Sequence, residues 1–241
     1  MSGSTIRRSD FVVTGHRGAM AIEPENTMRS FRRAEELAAD ELELDVHLSS
    51  DQHLVVMHDH TLDRTTNGSG AIADTTWAEI RTLDAGLGEQ VPELAEVWTA
   101  FWDLSLQVEV KDAAATVAVL ELIKANPRPG GTIITSFHPE AVATAMAAAG
   151  PWRVGLIGGE GGAEMLTQHA GSGVDMLMVH WSLVDLPAVR TFRERGGQAT
   201  VWPCNDRESV LRAIDEGWSG TTVDDPAMGV AARNERLAPT D

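Results

Sequence analysis

The chain has 241 residues, 43% hydrophobic and 23% charged, which suits one large globular unit and matches the roughly 250 residues of a (β/α)₈ barrel. Its formal net charge of −17 repels nucleic acid and anionic lipid at long range, so a polyanion-binding role is excluded and a small phosphorylated ligand needs cationic side chains gathered in one pocket. The single cysteine, Cys204, excludes an intrachain disulfide, residues 1–10 lack the apolar core of a signal peptide, and no apolar run nears the ~18 residues of a membrane span, so the expectation is a cytoplasmic protein without stable membrane insertion.

Residues 1–10 are expected to form a tail. Short apolar runs follow at 11–14, 42–46, 106–110, 132–135, 153–157, 176–179, 199–202 and 221–223, and they read as parallel strands covered on both faces. Helical patterns lie between them. Phe31, Ala34 and Leu37 share a face after Asn26-Thr27, which can cap; Val189 and Phe192, then Val210, Leu211 and Ile214, do the same later. This alternation predicts an α/β fold, a single closed (β/α)₈ TIM barrel over residues 11–230, with a partly helical tail at 231–241. The sequence specifies no oligomeric state.

One segment breaks the alternation. Residues 53–58 also read as a strand, but only residues 49–52 separate them from the second strand, too few for a parallel crossover, so the connection is a hairpin. A turn centred between Asp51 and Gln52 sets position 45 opposite position 58 and places His58 beside Asp45. Residues 61–89, rich in Thr, Gly and Asp, are too long for an ordinary connection and predict a small insertion over the mouth, either a lid or a peripheral decoration.

Four groups carry chemistry. Thr14-Gly15-His16-Arg17-Gly18 puts His16 at the C-terminal end of the first strand, where barrel active sites form, and Arg17 offers a planar fork suited to phosphate oxygens. In Glu41-Leu42-Glu43-Leu44-Asp45 the carboxylates alternate and so face the barrel interior together. Such a cluster costs several kcal/mol unless a cation or arginines compensate it, and hard oxygen donors suit Mg²⁺, Ca²⁺ or Mn²⁺. Glu41 sits lower than the other two. In Gln107-Val108-Glu109-Val110-Lys111, Glu109 can add a third carboxylate, while Lys111 can balance charge and hold a phosphate oxygen; a purely structural Lys–Glu pair is the alternative. Met57-His58-Asp59-His60 brings a second histidine with an aspartate able to orient a ring, and His60 reads as a surface residue. Two histidines, a cation site and two phosphate-binding cations together fit phosphodiester cleavage.

These residues resemble the glycerophosphodiester phosphodiesterases of the phospholipase C-like superfamily. The matching stretches are His16-Arg17-Gly18, Pro24-Glu25-Asn26-Thr27, Glu43-Leu44-Asp45-Val46, His58-Asp59 with Leu62-Asp63-Arg64-Thr65-Thr66, and Glu109-Val110-Lys111. Ser136-Phe137, Trp202 with Asn205, and Asp224-Asp225-Pro226 resemble further marks, so the likeness runs from about residue 11 to 230. The resemblance implies His16 and His58 as the catalytic pair and Glu43, Asp45 and Glu109 as ligands of one divalent cation, usually Mg²⁺ or Ca²⁺. It implies Arg17 and Lys111 on phosphate, Glu25 near the site, and Phe137 and Trp202 along the wall that meets the substrate's alcohol moiety. The implied reaction turns a small glycerophosphodiester and water into glycerol 3-phosphate and an alcohol, with either water or the neighbouring glycerol hydroxyl as the first attacking group, the latter giving a cyclic phosphate that water then opens.

Met20-Ala21-Ile22-Glu23, Val223 and Pro203-Cys204 depart from the family pattern, and the first and last bear on substrate preference. One alternative is a lysophospholipid or another phosphodiester as substrate, for which Ile72, Trp77 and Leu87 would supply apolar contacts if they do not fill a small core of their own. A non-catalytic barrel that binds a phosphorylated ligand is a second; it would dispense with a histidine or a carboxylate, and all are present.

Overall fold

A computed structural model describes residues 10–237, so residues 1–9 of the expected first tail and 238–241 of the second lie outside it. Eight parallel strands close a ring. They are β1 (Val12–Gly15), β2 (Glu41–Leu48), β4 (Ser105–Val110), β5 (Thr132–Ser136), β6 (Arg153–Gly158), β7 (Met176–His180), β8 (Gln198–Trp202) and β9 (Gly220–Val223), and β1 pairs with both β2 and β9. The helices between them are α1 (Met28–Glu36), α3 (Leu94–Ala100), α4 (Thr116–Ala125), α5 (Pro139–Ala147), α6 (Ala163–His169), α7 (Pro187–Glu194), α8 (Arg207–Asp215) and α9 (Pro226–Arg236). Thr27 caps α1 by accepting from Ser30 N, the job expected of Asn26-Thr27. No helix among the described residues is long and apolar enough to cross a membrane.

Period-two alternation sorts the strand residues into two cores. Leu42, Leu44, Leu106, Val108, Leu156 and Leu177 join the large core that also takes Phe31, Trp98 and Val189 from the helices. Ile133, Ile157, Met176 and Met178 form a separate apolar cluster with Phe137 and Trp202. The intervening residues of β2 and β4 are polar, so the apolar cluster at β5–β7 stands apart from a charged side at β2 and β4.

The ninth strand, β3 (Leu54–Val56), lies outside the ring, antiparallel to the upper part of β2. The hairpin forms, but its register differs by one residue from the expectation. Val46 pairs with Val56, and Met57 N donates to Asp45 O at 3.0 Å, so position 45 faces Met57 rather than His58. Ser49 and His53 close the loop, and Gln52 adopts a left-handed φ of 69° after donating its N–H to Ser49 O. That is a three-residue connection, an odd length that moves every pair by one.

The excursion over 61–89 contains α2 (Trp77–Ile80), whose start is a reciprocal Thr76–Glu79 capping box. It has a small core of its own, where Leu62, Ile72 and Ile80 pack on Val55 and Met57 of the hairpin, with Trp77 at the edge. Ile72 and Trp77 are therefore spent on packing, while Leu87 is 73% exposed.

Candidate active site

The site lies where β1, β2, β4 and β9 end. His16 leaves β1 with its backbone N–H on Val223 O, and its Nδ1 is 2.6 Å from Asp224 Oδ1. Burial pushes the Asp224 carboxyl up, but the hydrogen bond and charge of His16, helped by Asn205, outweigh this and hold it below the usual range. Asp224 is therefore an ionised acceptor. His16 donates from Nδ1, which leaves Nε2 as the basic nitrogen.

Arg17 adopts a left-handed φ of 50°, followed by Gly18 at 86°. A Cβ on Gly18 would lie 2.4 Å from Ser30 Oγ and 2.5 Å from Ser30 C, so only glycine lets this turn sit on α1. Ser30 Oγ donates to Arg17 O and accepts from Ala19 N, each at 2.8 Å. The turn aims Arg17 N at Glu43 Oε2, at 3.0 Å, and brings Arg17 Nη1 to Glu25 Oε1 at 2.8 Å and Nε within 3.3 Å of Asp45 Oδ2. Glu25 thus stands behind Arg17 as its anchor.

Glu43, Asp45 and Glu109 are 3%, 1% and 6% exposed, and each offers an oxygen within 4.8 Å of the others. The β2–β4 register, Asp45 beside Glu109, is what joins them. Glu41 stays out of this group. It lies deeper, accepting from Thr14 Oγ1 at 3.0 Å and Ser105 Oγ at 2.8 Å. Lys111 Nζ is 3.0 Å from Asp45 Oδ1 and 2.5 Å from Glu109 Oε1, and Asn26 Nδ2 donates to Asp45 Oδ2 at 2.8 Å.

The three carboxyls titrate apart. Burial and the charges of Asp45 and Glu109 push Glu43 well above its usual range. Burial, then the charge of Asp45, raises Glu109 to about 7 against the pull of Lys111. Burial opposes ionisation of Asp45 too, but Lys111 and Arg17 hold it at about 2. Two buried carboxyls thus lack enough positive charge, and Glu109 Oε1 meets Lys111 without an aligned hydrogen bond. A hard divalent cation fits an all-oxygen set that is short of positive charge.

His58 follows the hairpin. Its carbonyl is 3.0 Å from His47 Nε2, and its Nδ1 is 2.7 Å from Asp59 Oδ1. Burial lowers the His58 ring below the usual histidine range, and Lys111 adds to this against the opposing pull of Asp45 and Asp59. Asp59 also takes two hydrogen bonds from Arg64, whose remaining donors reach Glu25. His60 is exposed, as expected.

One pocket gathers His16, Arg17, Glu43, His58, Glu109 and Lys111 on its polar side, and Phe137, Ile157, Met178 and Trp202 on its apolar side. Phe137 and Trp202 meet edge to face, with ring centres 6.0 Å apart. Of the residues expected at the site, Asp45 lies beneath this lining and Glu25 behind it. From the sequence alone Asp224, Asn205 and Arg64 carry no assigned role, and Asn26 only that of a cap. A signal for Asp224 was available: it follows the last strand as His16 follows the first, and those strands adjoin in a closed barrel.

The fold and this mouth define a phosphodiester-cleaving enzyme. The model of the glycerophosphoryl diester phosphodiesterase family matches residues 16–228. The glycerophosphodiester phosphodiesterase of Caldanaerobacter subterraneus subsp. tengcongensis is 33% identical over 231 residues, covering 89% of this chain and 94% of that protein. Among solved structures, an Oleispira antarctica phosphodiesterase in complex with the product sn-glycerol-3-phosphate superposes with a TM-score of 0.81 at 28% identity, covering 92% of this chain and 96% of the other. The Thermotoga maritima glycerophosphodiester phosphodiesterase gives a TM-score of 0.76 at 29% identity, covering 92% and 97%. The chain belongs to the glycerophosphoryl diester phosphodiesterase family.

Proposed function

We propose that this protein hydrolyses a small glycerophosphodiester to glycerol 3-phosphate and an alcohol, with His16 and His58 sharing the acid–base work beside a divalent cation. The observation that carries this is a pair of histidines on one pocket, each with Nδ1 on an aspartate, around three buried carboxylates. The product held by the Oleispira enzyme supports the glycerol 3-phosphate end of the reaction.

Glu43, Asp45 and Glu109 would hold the cation, with Mg²⁺ or Ca²⁺ favoured by their oxygens and Mn²⁺ also suited. Bound there, it would supply Lewis-acid polarisation of a phosphoryl oxygen. Arg17 and Lys111 bind the other phosphoryl oxygens and neutralise charge that builds on them. One histidine takes the proton of the attacking hydroxyl, either water or the neighbouring glycerol oxygen, and the other protonates the leaving oxygen. If glycerol attacks first, the same pair works in reverse when water opens the cyclic phosphate. Phe137 and Trp202 give the alcohol moiety an apolar wall.

A panel of glycerophosphodiesters, assayed for glycerol 3-phosphate release with the cation varied, tests this directly. Chelation with EDTA should abolish turnover and Mg²⁺ or Ca²⁺ should restore it; indifference to both would end the metal assignment. His16→Ala and His58→Ala should each lower kcat by at least ~10² with the fold intact. Near-normal turnover in either variant removes that residue from the mechanism.

A further inference from the structure

Arg64 stands at the start of the 61–89 excursion, outside the barrel, with a side chain 47% exposed. Exposed ion pairs contribute little to stability. The partners of this one point to another role. Nε donates to Asp59 Oδ2 at 2.7 Å and Nη1 to Glu25 Oε2 at 2.8 Å, while Nη2 reaches both Glu25 Oε1, at 2.8 Å, and Asp59 Oδ1, at 2.9 Å. The two oxygens that share Nη2 are the ones that hold the site. Glu25 Oε1 accepts from Arg17 Nη1 at 2.8 Å, and Asp59 Oδ1 lies 2.7 Å from His58 Nδ1. One nitrogen therefore joins the support of the arginine to the support of the histidine.

We infer that Arg64 is a positioning residue for catalysis, setting Arg17 through Glu25 and His58 through Asp59, so that the excursion couples the phosphate-binding arm to the acid–base arm. This rests on the roles proposed above for Arg17 and His58. The geometry needs a guanidinium. A planar fork with five donors can serve two carboxylates at once, whereas a lysine's three donors radiate from a single atom. The backbone of Arg64 is fixed from the other side. Leu62 is buried in the excursion's own core, and Thr66 N and Oγ1 both donate to Leu62 O, at 3.1 and 2.6 Å. A closed turn thus aims the side chain at the mouth.

Double-mutant cycles, with kcat and KM read separately at saturating cation, test the inference. Arg64→Gln should lower kcat by ~10-fold, less than the ~10² expected for His58→Ala, and raise KM by about 3- to 10-fold. Arg64→Lys should rescue neither, and it carries the test if the glutamine variant unfolds on heating earlier than the assay allows. In an Asp59→Asn background, Arg64→Gln should lose its effect on kcat and keep its effect on KM; in a Glu25→Gln background the reverse should hold. An arginine that merely braces the fold would give the same fold-changes in every background. That outcome, or normal kcat and KM in Arg64→Lys, overturns the inference. Normal turnover in His58→Ala would instead remove the catalytic assignment of His58, so the two failures are distinct.

Discussion

Asp224 is 208 positions from His16 in the chain and 2.6 Å from it in space. Closure of the barrel explains the distance. Gly15 pairs with Val223, so the residues that leave those two strands emerge side by side. Asn205 fixes Asp224 from behind, donating Nδ2 to Oδ2 and accepting the Asp224 N–H at Oδ1. The carboxylate accepts only, which dictates the His16 tautomer; an amide in its place can turn its NH₂ toward Nδ1 and reverse that tautomer. Asp224→Asn should therefore lower kcat by ~10²–10⁴ with little change in KM, measured on protein that unfolds at the wild-type temperature. A loss under ~3-fold would leave Asp224 with a structural part only. The sequence made His16, Arg17, Glu43, Asp45, His58 and Glu109 legible because each sits in a short run whose alternation or spacing is chemical. Asp224 is harder to read because the ring it touches lies two hundred residues away in the chain.

At the scale of elements, the strands were readable because covered parallel strands are written as unbroken apolar runs, and the hairpin because four residues cannot make a crossover. Its register was not readable. The three-residue loop relies on Gln52 in a left-handed conformation, which a glycine or asparagine would have signalled and a glutamine does not. The excursion was visible as a length anomaly, but its place in the site depends on which side chains pack inside it. Leu62 is 2% exposed, between the hairpin's Val55 and Met57 and the excursion's Ile72 and Ile80. Leu62→Ala should cost ~2–4 kcal/mol in urea unfolding by leaving a cavity there. It should also lower kcat in protein that is still fully folded, because Arg64 is two residues along the same turn. Unchanged kcat in the folded variant would show that the small core and the site are independent.

For the molecule as a whole, an acidic chain encloses further acid in its barrel. Burial is the main cause that raises Glu41, Glu43 and Glu109 above the ordinary 4.5, Glu109 to about 7. A carboxyl with a raised folded pKa holds its proton longer in the folded state than in the unfolded one. Without a cation these groups therefore draw stability down as pH rises from 4.5 toward 7. Glu25, Asp59 and Asp224 are lowered, so their stabilisation is complete above the ordinary carboxyl range and is lost only on acidification below it. His47 and His58 are lowered by burial and favour the folded state as pH rises toward 6.5. A cation held beside Asp45 would lower both rings further, because both feel that carboxylate's charge, so the histidines and the carboxylates change the cation's increment with pH in the same direction. A divalent ion held by Glu43, Asp45 and Glu109 would have to displace protons from Glu43 and Glu109, a requirement that weighs more at pH 5 than at pH 8. The rise in unfolding temperature on adding Mg²⁺ or Ca²⁺ to chelator-treated protein should accordingly grow from pH 5 to pH 8, and calorimetry at fixed free cation measures it. If the ion is held as proposed, Glu43→Gln should shrink that rise at pH 8, because it removes one of the three carboxylates that would hold it. An increment that is flat with pH, or equal in the variant, would mean that the ion binds elsewhere.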